Sequence, residues 1–430
     1  MAFNMDELHR RKAQREQQRQ ERLQQQKKLM FRLAIAGGVL VAVAVLILAI
    51  SFGAPKSPDT QTEPPVQTSA NQGTAQATET TTPPTTVVRF TAVGDLNVTE
   101  KVVASGGPGY DYTNTFMDVL PVLSEADLTV VNLEGTLCGA PYGTEPDRSA
   151  PQTMLTALVN AGVDLVQTAN SYTIKKGVSG MGMTLANLRV AGLESVGAYA
   201  TQEEYKKAGG YTIRDVNGVK VAVVGFTKGM DGMALPVGSE DCVNLLYTDY
   251  ASSYRDVDED GIKALLRRVE KEKPDMTIAL VHWGSEYNDI HSDSQAQIRQ
   301  LLLEQGVDAI IGTHPHYVQE LEYDPDKGTV VAYSLGDFIS DAERSGTEYS
   351  IALHLEITKD NTAGTTKITN CSYTPLYTAV QEDGTVRVVR LEAAMRAYQA
   401  GYIGKVNKEA YSGMEYALQR IQERVNPTKE

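Results

Sequence analysis

The sequence predicts an α/β domain set behind a single transmembrane helix. Three observations lead there. Residues 33–54, LAIAGGVLVAVAVLILAISFGA, contain no charged side chain. Residues 55–86 are dominated by Pro, Thr, Gln and Ser and are nearly devoid of apolar side chains. From Val87 onward, short β-rich runs alternate with helix-like stretches, which is the pattern of an α/β domain.

Residues 1–32 hold nine Lys/Arg against four Asp/Glu, a net of +5 in a chain of formal charge −14, so the remainder carries −19. A basic head sits on an acidic body. Nucleic acid is therefore not an expected partner, because phosphate neutralisation needs clustered Lys/Arg. The head is rich in helix formers but has no apolar heptad, so it reads as a solvated helix whose basic side meets anionic inner-leaflet lipid.

The apolar run at 33–54 is long enough to cross a bilayer, whose core is spanned by about 20 residues at ~1.5 Å each. A cleaved signal peptide is the alternative, but its apolar region is usually ~7–15 residues behind a short basic lead. Lys27, Lys28 and Arg32 precede the run and only Lys56 follows closely. The expected topology is a single-pass protein of the cell membrane, with its N-terminus cytoplasmic and its C-terminal domain extracytoplasmic. Residues 55–86 cannot bury a core and read as a disordered stalk. The folded domain is expected over 87–400, with a helical extension over 401–430 packed on its outside.

Within the domain, the expected strands are VVRFTAVGD, DLTVVNLE, VDLVQTAN, VKVAVVGFT, DMTIALVHWG, VDAIIGTHPH and TVVAYSLGD. APQTMLTALVNAG, DGIKALLRRVEKEK and SDSQAQIRQLLLEQG read as helices, the last with a polar start and Gly306 as its stop. YSIALHLEIT and GTVRVVRLEA alternate apolar and polar residues, as half-exposed strands do. Cys138, Cys242 and Cys371 fit no zinc spacing and read as small hydrophobes.

The apolar strands end in a consistent way. Val93 is followed by Gly94-Asp95, Val131 by Asn132-Leu133-Glu134, Ala169 by Asn170-Ser171-Tyr172, Val281 by His282, and Ile311 by Gly312-Thr313-His314-Pro315-His316. In α/β sheets, ligands bind outside the carboxyl ends of strands. Taken singly, a strand-end Asp is usually a turn residue and a lone His a satisfied core residue. Together these ends bring O and N donors to one edge, a ligand set for Mn or Mg and, with imidazole, Zn or Fe. Two such ions can clamp the attacking and leaving oxygens of a phosphoryl transfer. His9, His291 and His354 do not join this set.

With AVGDLN, ADLTVVNLEGTL, SAP (149–151), VHWGSEY, GTHPHYVQ and YSLGDF in this order, the chain resembles the bacterial CapA family over about residues 89–342. These are capsule-synthesis proteins associated with poly-γ-glutamate, and their fold is similar to that of the calcineurin-like metallophosphatases. The resemblance implies a sandwich of two central β-sheets flanked by helices. It also implies one or two divalent ions (Mn, Zn, Fe or Mg) held by Asp95, Glu134, His282, His314 and His316, with Asn132 at the same site. Capsule or envelope polymer and its synthase subunits are the implied partners.

One motif departs from the family. Where the family usually runs Ala-Asn-Asn-His-x-x-Asp, this chain keeps Ala169 and Asn170 but has Ser171, Tyr172 and Lys175. By similarity to the metallophosphatases, the second Asn bridges to a metal and the His stabilises charge on the leaving group. Asp337 stands where the family usually has Asn and adds an anionic group. Two expectations follow: a metal-dependent hydrolase of phosphoester or related bonds, or a non-catalytic module of the same fold that binds an envelope polymer or a synthase subunit.

Overall fold

A computed structural model of the protein describes residues 84–402 and 408–425. The basic tail, the apolar run and nearly all of the stalk lie outside the described residues. Among the described residues, no helix is long and apolar enough to cross a membrane.

Among the described residues, fourteen strands form two sheets. The first has the order β14-β13-β12-β1-β2-β3-β4, with β11 also paired to β1. Here β1 is Thr85–Asn97, β2 Leu128–Glu134, β3 Leu165–Gln167, β4 Glu194–Val196, β11 Asp337–Ile339, β12 Tyr349–Asp360, β13 Thr365–Val380 and β14 Val386–Arg390. The second has the order β5-β6-β7-β8-β10-β9, with β5 Tyr211–Val216, β6 Val219–Thr227, β7 Met276–His282, β8 Ala309–Thr313, β9 Leu321–Asp324 and β10 Thr329–Ala332. The central strands β1 to β4, and likewise β6, β7, β8 and β10, run parallel.

Period-2 alternation sorts each strand between two layers. In β6, Val219, Val221 and Val223 face the other sheet, where they meet Phe90, Val130 and Leu165. Ala222, Val224 and Phe226 face outward, onto two helices. Of these, α1 (Glu259–Lys271) is capped by Asp258, which accepts from the Gly261 N–H, and buries Ile262, Leu265, Leu266 and Val269 at helical spacing. The second, α2 (Asp293–Glu304), starts with a Ser292/Gln295 capping box and buries Ile298, Leu301 and Leu302. Another helix, Gln152–Ala161, covers the outer face of the first sheet through Met154, Leu155 and Leu158. The result is the expected two-sheet sandwich with helices on both outer faces.

The helix Lys408–Val425 goes further than the external extension expected of it. Met414, Ala417, Ile421 and Val425 are buried and belong to the core between the sheets. Arg420 and Arg424 on this helix both bond Asp289.

A bulge in β1 aims the site. Val88, Phe90 and Ala92 face the inter-sheet core, so strict alternation would send Asp95 outward with Val93. Between Ala92 and Asp95 the β1–β2 register slips by one residue, and Asp95 pairs with Asn132. That extra residue turns Asp95 back toward the other sheet.

Candidate metal centre

The carboxyl ends of both sheets meet at one place. The first sheet contributes Asp95, Asn132 and Glu134 from β1 and β2, with Asp337 opposite Asp95 on β11. The second contributes His282 from the end of β7, opposite Thr313 on β8, and His314 and His316 just beyond. Two groups have ligand atoms within 4.8 Å of one another: Glu134, His282 and His314, and Asp95, His316 and Asp337. All six are buried.

Asn132 holds the carboxylates in place. Its Nδ2 donates to Asp95 Oδ1 at 2.5 Å and to Glu134 Oε2 at 3.0 Å. The backbone N–H of His314 donates to Asp95 Oδ2 at 3.0 Å. His282 Nδ1 lies 3.3 Å from Thr313 Oγ1 and 3.7 Å from Glu134 Oε2. His316 Nδ1 lies 2.7 Å from Asp337 Oδ1. His314 and His316 both have left-handed backbones, φ 91° and 61°, which turn the chain sharply on either side of Pro315.

Of the sequence-predicted ligands, the structure brings together Asp95, Glu134, His282, His314 and His316, with Asn132 bridging two of them. Asp337, expected only as an added negative charge, stands inside the second group. Thr313 and Tyr287, whose ring stacks on His316 at 5.4 Å, carried no signal in the sequence. The other described histidines have local roles: His354 bonds Thr91 and Thr374, and His291 stacks on Tyr333 and pairs with Glu320. All three cysteines are free thiols.

The motif at 170–172 divides its work. Buried Asn170 donates from Nδ2 to Leu133 O (2.5 Å) and Asn132 Oδ1 (3.2 Å) and accepts from the Tyr172 N–H (2.9 Å). Ser171 touches the cluster, with its hydroxyl 3.1 Å and its N–H donor 3.3 Å from His282 Nε2. Tyr172 lies instead beneath Arg148, whose Cζ is 5.2 Å from the ring centroid, and near Lys175 at 5.5 Å. Burial first, then nearby carboxylates, hold its phenol far above the ordinary value despite Arg148, so it is neutral.

The donor set fits a cation. His314 Nδ1 and Asp337 Oδ2 are buried with no hydrogen-bond partner. Burial pushes Asp95 up to about 6 and Glu134 up to about 8, with the neighbouring carboxylates adding to the effect. Such groups ionise fully only when positive charge meets them. Burial, then neighbouring positive charge, hold His282 and His314 well below the imidazole range, so both are neutral and able to ligate. Burial opposes charge on His316 too, but Asp337 and Asp95 outweigh it and raise it to about 10, so His316 ligates only by giving up that proton.

These shifts fix a pH dependence for the chelated protein. Above pH ~6.5, folded Glu134 and His316 keep protons that the unfolded chain has lost, so stability falls with rising pH, through about 8 for Glu134 and toward 10 for His316. The thermal midpoint of chelated full-length protein will be lower at pH 9 than at pH 6.5, and saturating Mn²⁺ will reverse the decline. A midpoint that is flat or rising over that range contradicts this electrostatic picture.

The chain is similar to proteins of a known family. Residues 89–342, more than half of the chain, match the family model "Bacterial capsule synthesis protein PGA_cap". The chain is similar to the PGA biosynthesis protein CapA of Bacillus subtilis (strain 168), 26% identical over 64% of this chain and 69% of that protein. It is also similar to the capsule biosynthesis protein CapA of Bacillus anthracis, 26% identical over 64% of this chain and 65% of that one. The chain thus spans about two thirds of the length of these relatives. Among solved structures, the calcineurin-like phosphoesterase YfkN from Bacillus subtilis aligns at a TM-score of 0.40 and 16% identity, covering 78% of this chain and 100% of that one. By the extent of the family match, the chain belongs to the bacterial capsule synthesis protein (PGA_cap) family.

Proposed function

We propose that the protein is a membrane-anchored, extracytoplasmic component of capsule or cell-envelope polymer synthesis, for a polymer of the poly-γ-glutamate kind, built around a divalent-metal site of hydrolase type. The family and the CapA relatives support the polymer role, and synthase subunits are the corresponding partners. The uncharged run at 33–54 supports the anchor. One observation carries the metal reading: two adjoining buried groups, Glu134/His282/His314 and Asp95/His316/Asp337, tied together by Asn132.

The residues that would hold divalent ions are these six. When bound, such ions supply positive charge to the oxygens of a phosphoryl or related transfer. The chain supplies the rest. Thr313 orients His282 and Asn132 fixes Asp95 against Glu134, as second partners of metal ligands do, while Asp337 bonds His316 through Oδ1 and keeps Oδ2 free for a cation. Ser171 places a hydroxyl against His282 at the mouth of the first group. Tyr172 offers a protonated phenol, whose hydroxyl donates to Glu145 Oε1 at 3.5 Å, and it carries no positive charge there.

That neutral phenol favours a second reading, a binding module on the same frame. The two separate by turnover of p-nitrophenyl phosphate with Mn²⁺. The hydrolase reading predicts slow, metal-dependent turnover in the wild type. It also predicts a rise of about 10²–10³-fold in Tyr172→His, the effect typical of one charge-stabilising group in a water-poor site. No metal-dependent turnover in either protein would remove the hydrolase reading and leave the binding module.

A further inference from the structure

The site has a cation at its mouth that the ligand set does not use. Arg148 lies in the segment after β2, which folds back over the strand end carrying Glu134. Its carbonyl accepts from the Thr136 N–H at 3.1 Å, and the Ala150 N–H returns to Thr136 O at 2.7 Å. The approach is close enough that a Cβ on Gly135 would lie 2.6 Å from Arg148 O. Arg148 itself holds a left-handed backbone, φ 39°, which is costly for a side chain of this size.

Its guanidinium is fixed rather than waving in solvent. Nε donates to Glu145 Oε1 and Nη1 to Asn97 Oδ1, each at 2.5 Å. Asn97 is the register partner of Glu134 and lies two residues beyond Asp95. The Tyr172 ring supports the guanidinium from one face. Nη2 has no partner among the described residues, and it belongs to a fork that recognises oxyanions through paired N–H donors. Arg148 is close enough to Glu134 and Tyr287 to shift both electrostatically. Strand β1, the Asn170–Tyr172 segment and the loop after β2 thus hold one guanidinium at the rim of the centre, with donors to spare, in a chain of net charge −14.

We propose that Arg148, braced by Tyr172, Asn97 and Glu145, is the anion-binding residue of this site and seats a phosphoryl oxygen of the substrate beside the metal centre. The inference rests on the metal-site reading above and names the class of group that the site takes. It gives Tyr172 a purpose, a platform for the guanidinium, that a residue merely lost from a motif would not have. A purely structural Arg148 would lock the loop and do nothing for anions.

The test is calorimetric titration of inorganic phosphate into the Mn²⁺-loaded full chain, with metal content and thermal midpoint measured on every variant. Arg148→Gln is expected to weaken phosphate binding about 10–100-fold, the range of a charge-assisted hydrogen-bond pair, with metal content unchanged. Arg148→Lys should recover part of the loss, and Tyr172→Leu should weaken binding about 2–10-fold by releasing the guanidinium. Should Arg148→Gln upset the fold, the Lys and Leu variants carry the comparison. Wild-type protein that holds metal but binds phosphate no better than Arg148→Gln would overturn this inference and leave the metal reading standing. Wild-type protein without metal would overturn both.

Discussion

Gly94→Ala will cost this protein about 3 kcal/mol of stability or more, the upper range for forcing atoms into a packed interior. A Cβ at residue 94 would land on the carbonyl oxygen of Gly336. That carbonyl accepts from the Asp95 N–H at 3.1 Å and sits just before Asp337, so the clash falls between two candidate ligands. Neither backbone can retreat, because Asp95 and Asp337 are register partners in a buried strand pair. Gly312→Ala should behave alike, since its Cβ would meet Tyr333 O and the Trp283 indole nitrogen, which are bonded to each other. Gly109 has an ordinary φ and open space where a Cβ would lie, so Gly109→Ala is expected to shift stability by no more than ~0.5 kcal/mol. Urea unfolding of the three variants checks this, and a Gly94→Ala midpoint equal to wild type would contradict the close approach.

These glycines show what the motifs AVGDLN, GTHPHYVQ and YSLGDF encode. Each carries donors for the centre together with the glycine that lets neighbouring backbone come near enough to place them. The donors were legible as strand ends. The need for Gly94 and Gly312 became physical only once β1 lay beside the Gly336 turn and β8 beside Tyr333.

Other elements divide along similar lines. Strands β6, β7 and β8 were legible because both faces are buried, which writes a continuous apolar run. Strand β13 was not. It is 16 residues long, mostly polar and half-exposed, and has Pro375 inside it, so it reads as loop until β12 pairs with it. The three-residue β4 is too short to show a period, and the helix Gly177–Ala191 opens with glycines at 177, 180 and 182 that mask its buried Met181, Leu185 and Leu188. Its helicity comes from packing rather than propensity.

In the site, the five Asp, Glu and His candidate ligands were readable because strand ends converge in this architecture. Asp337 was visible as a charge but not as a member of the cluster, because its place depends on β11 pairing with β1 across 242 positions of chain. Arg148 left no local signal. Its position comes from the fold-back onto Gly135 and from Asn97 and Tyr172, residues that are neighbours only in space. The departure at Ser171 and Tyr172 was legible as a loss, and the structure gives each replacement a contact: Ser171 with His282, Tyr172 with Arg148.

The largest effect expected on the centre itself is that of removing its two loop histidines. His314 belongs to one ligand group and His316 to the other, so His314→Ala/His316→Ala takes a donor from both at once. It also removes the partner that Asp337 Oδ1 uses, leaving three buried carboxylates with less compensation. Loss of a partner around a ligand commonly weakens metal binding ~10–100-fold, and loss of a ligand from each group exceeds that. Elemental analysis of the purified full chain after metal loading and desalting, beside the double variant, measures this directly. Two divalent ions per wild-type chain, and none retained in the variant, are the predicted result. A wild-type chain that retains no divalent ion would contradict the metal centre and leave these six buried side chains without the charge their geometry calls for.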